Sequence, residues 1–395
     1  MADVIVVGAG SAGAALAARL SEDPRRTVLL LEAGRDWRAA EAPAALRSPN
    51  IVPFMHDPRH QAEWQWPGLT RRRTKAQEPR FYWRGKALCG SSAVNAQISI
   101  RGVPAAFDAW AEAGCEGCAA KDVLPIFDAI EDDADTGVAP GIRRGGPPPV
   151  FRMPVAQWGA IDLGLRDAAL QAGHPWKAKL NAPEGEGVSW NPINLCDGRR
   201  VTTNDGYLEP ARGRPNLAIR GNALVDRVLF DGRRARGMRV RFGETWEQVE
   251  GREIVLCAGA IHSPAILMRS GIGPAAALRA LGIAALHDLP AVGRNLMDHP
   301  ILRASLSLKP AHRARGADAR HTNCCVTYSS GLAGGGERDM ILIAYNHRDL
   351  TPDGEPAAEG AVGIALYDAF SRGELRLAAA DPDAQPVVDE NMLDD

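Results

Sequence analysis

Residues 4–20 read VIVVGAGSAGAALAARL. Four β-branched residues in unbroken succession, with no polar alternation, suit a strand buried on both faces. The small, helix-forming residues that follow predict a helix over 11–21. Between the two, Gly8-Ala9-Gly10-Ser11-Ala12-Gly13 has the GxGxxG spacing of a dinucleotide turn. Gly8 permits the tight turn, Gly10 lets backbone approach a diphosphate, and Gly13 lets the helix pack closely on the strand. Unpaired amides at the helix start would then face the phosphate charge. TVLLL at 27–31 is a second buried strand, so the unit is a parallel βαβ. It ends on Glu32, about 20 residues beyond Gly13, where an acid accepts hydrogen bonds from an adenosine ribose. The spacing predicts a bound adenine dinucleotide and does not separate NAD from FAD.

Residues 35–83 show little periodicity and read as an extended excursion holding Trp64, Trp66 and the run Arg71-Arg72-Arg73. Such a charge run reads as a solvated face, with phosphate contact as the alternative. Helices are expected near 105–114 and 121–131, before the Gly/Pro-rich connector GVAPGIRRGGPPPV at 137–150, and again near 159–172. From 216 the chain returns to short apolar strands, NLAIRG, ALVDRVLFDG, ARGMRVRFG and EIVLCAG, the last running into the helix AIHSPAILMRSG. From 301, the alternating stretches LRASLSL, CCVTYSS, MILIAY and AVGIALY predict an antiparallel sheet. The expected class is α/β. A Rossmann-like domain with a parallel sheet would be discontinuous over 1–150 and 200–300, and an α+β substrate domain with a mainly antiparallel sheet would take 151–199 and 301–395.

Length and composition agree with this. At 395 residues, 45% hydrophobic and 24% charged, the chain has ample material for two soluble domains. A formal net charge of −2 gives no electrostatic footprint for nucleic acid or a membrane surface. The apolar N-terminus carries Asp3 and no basic segment, unlike a secretory signal, and no stretch is long and apolar enough to span a bilayer. A cytoplasmic location is expected. Seven scattered cysteines fit reduced thiols, and Cys115-x-x-Cys118 lacks the second pair that zinc would need, so no metal is expected.

RGKALCGSSAVNAQISIRG, 84–102, joins a Gly/Ser loop to an Asn and a strand, a density of amides and hydroxyls that suits a polar ring system plus diphosphate. The segment resembles the first signature of the glucose-methanol-choline (GMC) oxidoreductases, FAD enzymes that mostly oxidise alcohols. GAIHSPAILMRSGIG at 259–273 is similar to a second signature, and LPAVGRNLMDHP at 289–300 to the passage closing the flavin domain. The resemblance implies FAD as cofactor. It implies Gly8, Gly10, Ser11 and Ala12 at the diphosphate, with Gly13 in the same turn, and Glu32 at the ribose. Gly90, Ser91 and Asn95 would lie along the diphosphate and isoalloxazine, with the backbone of Val225 at the adenine.

Three residues depart from the family pattern. Cys89 stands where a glycine is usual. Val94 replaces the His that bonds covalently to flavin in choline-oxidase-like members, which implies non-covalent FAD. Cys118 falls where relatives often carry Trp. His262 is expected to pack or cap, Asp298-His299 to be structural, and His312, His321 and His347, in the substrate domain, to face solvent, with reach to an active site as the alternative.

In the family a His, with a second His or Asn, handles the hydroxyl proton from a later C-terminal segment. Here the chain closes on ELRLAAADPDAQPVVDENMLDD, residues 374–395, read as a short strand, a polar turn and a helix start at Leu393-Asp394-Asp395. The expectation is a shortened chain whose catalytic residue is unknown, impaired or completed by another polypeptide or by a homo-oligomer. The alternative is a flavin-binding protein or half-subunit without alcohol oxidation of its own. Implied partners are a small-molecule alcohol and an electron acceptor, either dioxygen or a quinone or protein.

Overall fold

The computed structural model describes all residues except 134–144, 183–184, 317, 350, 352–355 and 395. Most of the connector expected at 137–150 therefore lies outside the described residues. Its end, Pro149–Val150, pairs in parallel with Asp132–Asp133.

A six-stranded sheet organises the first half of the fold, in the order Leu217–Arg220, Val28–Leu31, Ala2–Val7, Thr245–Leu256, Arg234–Phe242 and Ala223–Asp231. Its first four strands are parallel neighbours. The opening strand is buried on both faces, as its unbroken β-branched run requires. Val4 and Val6 pack with Val28, Leu30 and the alanines of the helix Ser11–Leu20. Ile5 and Val7 face the opposite way, onto Val225, Met238, Val240 and Ile266. Complete burial of each such side chain is worth roughly 1.5–3 kcal/mol, and small residues on the helix let it approach the sheet.

Thr245–Leu256 is longer than the EIVLCAG stretch suggests, because it serves two partners. Residues 245–250 pair antiparallel with Gly237–Phe242, and from Gly251 onward the same strand runs parallel to Ala2–Val7. A β-meander thus feeds directly into the parallel sheet, and the helix Gly259–Arg269 follows.

The second half is built on a fully antiparallel five-stranded sheet, in the order Ile301–Ser307, Glu359–Leu366, Met340–Tyr345, Cys324–Tyr328 and Gly187–Trp190. The helix Ala160–Gln171 packs over it through Ile161, Leu165 and Ala169 against Val188, Cys324, Val326 and Ala344. The strand Gly187–Trp190 leaves no clear sequence pattern because it is only four residues long and irregular chain adjoins it.

The excursion at 35–83 is not wholly extended, since it holds the short helices Ala44–Arg47, Val52–His56 and Pro58–Trp64. Thr70–Arg72 and Arg80–Phe81 join Glu374–Arg376 and Val387–Asp389 in a small four-stranded sheet, in the order 374–376, 387–389, 70–72, 80–81. Strand alternation overturns the solvated reading of the arginine run at Arg71 and, in part, at half-buried Arg73. Arg71 points inward and bonds Glu390 at 2.5 Å and Asp298 at 3.0 Å, whereas Arg72 stays exposed. At the far end, Met392 and Leu393 form a turn, with Leu393 at φ 60, in place of the expected helix start; Asp395 lies outside the described residues. Among the described residues no helix is long and apolar enough to cross a membrane.

Candidate cofactor site

Strand order reverses beside the opening strand, and a crevice outside the carboxyl ends of parallel strands is where α/β sheets bind ligands. A cavity of about 320 Å³ occupies that place. Its wall is made by the residues that leave three neighbouring strands: Val7 and Gly8, Leu31 to Ala33, and Cys257 to Gly259. Gly8, Gly10, Ser11, Ala12, Glu32, Gly90, Ser91 and Val225 all line this one cavity. Gly13 sits behind the turn.

The turn is shaped by what a Cβ would strike. Gly8 has φ 95, and an added Cβ would lie 2.7 Å from the Cys257 carbonyl oxygen. Gly90, at φ 53, would bring a Cβ to 2.9 Å from Cα of Gly10, so the 84–92 loop closes directly on the dinucleotide turn. The helix beginning at Ser11 has Gly10 as its N-cap and no side-chain cap, which leaves first-turn amides free for an anion.

Glu32 is buried and accepts from the amides of Ala9 and Gly34, both at 2.8 Å. Burial pushes its carboxyl up from 4.5 to about 7, against the pull of those amides. The folded chain therefore keeps a proton that the unfolded chain releases between pH 4.5 and about 7. The associated stability is full below pH 4.5 and is lost as pH rises through about 7. The cofactor-free protein should thus lose up to ~3 kcal/mol across that window, read as a falling Tm. Glu32→Gln should flatten the slope. If the ribose hydroxyls of FAD donate to this carboxylate, bound FAD should shrink it; a slope unchanged by FAD would place the ribose elsewhere.

Cys89 meets the demand that its family position makes. Its φ is 74, in the left-handed region, its amide donates to the Ala9 carbonyl at 2.9 Å, and its thiol is buried 3.2 Å from Thr202 Oγ1. Burial pushes the thiol up to about 12, so it is inert at neutral pH. A residue with a Cβ pays roughly 1–2 kcal/mol in this conformation. Cys89→Ala loses the sulfur contacts and keeps that strain, while Cys89→Gly loses the contacts and relieves it. The Gly variant should melt above the Ala variant, by about 1 kcal/mol in stability; the reverse order would show that strain at this position is negligible.

Asn95 opens instead onto a smaller neighbouring cavity of about 150 Å³, which shares Ser11 with the main one. Its Oδ1 accepts from the Gln97 amide at 2.9 Å and from Arg200 at 3.2 Å. Val94 is half-buried against the core of the opening helix.

Other residues of the site were not assigned to it from the sequence. Trp66 and His262 stack on the cavity wall with ring centroids 3.9 Å apart. His262 Nε2 meets Gln385 Oε1 at 3.2 Å, and burial lowers its pKa to about 4, so the ring is neutral. It packs and does not cap, since Ala258 is the N-cap of its helix. Arg269, also on the cavity wall, is held by the carbonyl and carboxylate of buried Asp226 at 2.9 and 3.2 Å.

Asp298 is taken by Arg71, and His299 is half-exposed. His312 is exposed as expected, but His321 and His347 are not: both are buried and line a second cavity, because each sits beside a strand of the antiparallel sheet and is drawn under it. Cys115 and Cys118 are free thiols.

Residues 2–301 match the family model described as GMC oxidoreductase. The chain belongs to the GMC oxidoreductases. It is 36% identical over 412 residues to a 5-(hydroxymethyl)furfural oxidase of Methylovorus sp., covering 100% of this chain and 74% of that protein. It is 42% identical over 427 residues to an oxygen-dependent choline dehydrogenase of Ectopseudomonas mendocina, covering 99% and 73%. Among solved structures, pyridoxine 4-oxidase from Mesorbium loti superposes with TM-score 0.86 at 31% identity, covering 100% of this chain and 77% of that one. This GMC oxidoreductase is accordingly an FAD-dependent enzyme acting on CH–OH groups, built on the family's Rossmann-like fold.

Proposed function

We propose that this GMC oxidoreductase holds FAD non-covalently in the cavity at the strand ends and oxidises a primary alcohol borne on a flat ring, with dioxygen as the electron acceptor. One observation carries the cofactor reading. Close-approach glycines, an uncapped helix start and a single buried carboxylate all converge on one cavity at the reversal of strand order. The amides of Ser11 and Ala12 would take the diphosphate charge, Glu32 the ribose hydroxyls and the Val225 backbone the adenine. Val94 offers no nucleophile to a flavin ring. FAD, when bound, supplies the acceptor for the hydride that the alcohol carbon gives up.

The ring-borne alcohol and dioxygen are suggested by the hydroxymethylfurfural and pyridoxine oxidases among the relatives. The division into a discontinuous flavin domain, 1–150 and 200–300, and a substrate domain is supported by membership of the two large sheets. Free thiols at all seven cysteines suit a reducing compartment such as the cytoplasm.

The purified chain mixed with FAD should turn yellow, and acid precipitation should release the flavin to the supernatant. Anaerobic addition of an aromatic primary alcohol should bleach the flavin bands. A chain that stays colourless in excess FAD overturns the cofactor reading, and flavin left in the acid pellet overturns its non-covalent part.

A further inference from the structure

The second cavity, about 440 Å³, lies between the antiparallel sheet and the 51–83 segment, and it is sharply divided in character. Its floor is buried and uncharged: His321, Thr322 and His347. His321 is 4% exposed, its Nδ1 has no hydrogen-bond partner, and burial with neighbouring guanidiniums holds its pKa well below the usual value. Aromatic side chains, Phe81, Trp83 and Tyr345, make much of the wall. Five arginines also line it, and among the described residues no aspartate or glutamate does.

Two of those charges are already matched. Arg71 is bonded to Glu390 and Asp298, and Arg348 to Glu359 at 2.8 Å. Arg73, Arg80 and Arg303 have no ion-pair partner among the described residues; Arg303 lies 5.3 Å over the Tyr345 ring, leaving its charge available. The pKa of half-buried Arg73 is lowered, first by desolvation and then by Arg71; Glu390 pulls the other way, and Arg303 and Arg80 add further repulsion. Three like charges gathered around one concavity repel each other, and an anion between them removes the cost.

Adjacent residues tie this cavity to the cofactor cavity. Trp83 lines the former and Arg84 the latter. Resting on the alcohol-oxidase reading above, we infer that the arginine-lined cavity selects an alcohol carrying an oxyanion, a carboxylate or a phosphate monoester, on an aromatic body, and rejects a quaternary ammonium alcohol. The planar guanidinium forks match oxyanion geometry in pairs, and the aromatic wall supplies the surface for a ring. Choline, the substrate named for a relative at 42% identity, carries the wrong charge for this cavity.

The test uses the full chain loaded with FAD and four probes: 4-(hydroxymethyl)benzoate, 4-(hydroxymethyl)phenyl phosphate, benzyl alcohol and choline. Binding is followed by tryptophan fluorescence, which Trp83 reports whether or not flavin is present, and by perturbation of the flavin bands. At least one anionic probe should bind roughly tenfold or more tightly than benzyl alcohol, and weaken as salt is raised. The tighter of the two identifies the oxyanion. Arg303→Gln, at an exposed position that does not threaten folding, should remove most of that advantage and leave FAD affinity unchanged; Arg73→Gln should act in the same direction. Equal binding of benzyl alcohol or choline, or selectivity that survives both substitutions, overturns the inference. A colourless chain that still quenches with an anionic probe overturns the flavin reading and leaves this one standing.

Discussion

Gly13→Ala should leave no folded, flavin-binding protein, whereas Gly10→Ala should leave a folded protein that has lost FAD. The two glycines are three residues apart in one turn, yet their missing side chains guard different spaces. A Cβ on Gly13 would lie 1.9 Å from the Gly8 carbonyl oxygen and 3.0 Å from the Cys257 side chain. The first contact is with backbone of the turn itself, so the helix Ser11–Leu20 would have to lift from the opening strand. That separates the alanines of its inner face from Val4, Val6 and Leu30, a core disruption worth more than about 4 kcal/mol.

A Cβ on Gly10 meets nothing closer than Cα of Gly90 at 3.9 Å, an ordinary contact, and its φ of −68 suits any residue. The fold has no reason to object. The methyl would instead stand in the cavity between the turn and the 84–92 loop, where a diphosphate needs the backbone bare. Circular dichroism and a thermal melt should show Gly10→Ala close to the parent, while quenching of flavin fluorescence on titration should show affinity down by roughly a hundredfold or more. If Gly10→Ala binds FAD as the parent does, the diphosphate takes another path.

What the sequence made legible follows the same division between local and distant demands. Gly8, Gly10, Gly13 and Glu32 could be placed because a strand, a turn and a helix of fixed length carry each to its position, and the structure puts Gly8, Gly10 and Glu32 on one cavity wall with Gly13 behind the turn. Cys89 was conspicuous because a residue with a Cβ occupies a backbone position that favours none, and its φ of 74 is that position. Trp66 and His262 are almost two hundred residues apart, and nothing local marks either as half of a stacked pair. Arg71 reads as one of three solvated arginines, but a strand of three residues turns it into an ion pair with Glu390. His321 and His347 looked exposed because polar neighbours surround them in sequence; their burial is decided by strands on either side of the sheet. Period-2 alternation identified most of that sheet, but alternation cannot say which strand ends are roofed over.

Asp162 is the extreme case of such a residue, and removing it should cost the second half of the fold more than any other single truncation of a polar side chain there. It reads as an ordinary first-turn acid of an amphipathic helix. In the structure it is fully buried and accepts five hydrogen bonds: from the amides of Gly159, Asn323 and Cys324 at 3.1, 2.9 and 3.0 Å, and from the side-chain amides of Asn323 and Asn346 at 2.8 and 2.5 Å. One carboxylate thus caps its own helix and fastens that helix to two strands of the antiparallel sheet. Gly159 is part of the same fit, since a Cβ there would lie 2.2 Å from the Asn346 side chain. Asp162→Ala leaves five buried donors without their acceptor, at a cost of about 4 kcal/mol or more. For a domain of this size that corresponds to a fall in Tm of roughly 10 °C. Near-ultraviolet circular dichroism of the Trp158, Trp176 and Trp190 cluster, which sits beside this seam, should report the transition. FAD release should follow at a higher temperature, because Asp162 touches no residue of the cofactor cavity. Asp162→Asn, which keeps one oxygen acceptor, should fall between the two. Simultaneous loss of the tryptophan signal and of flavin would instead show that the two sheets unfold as one unit.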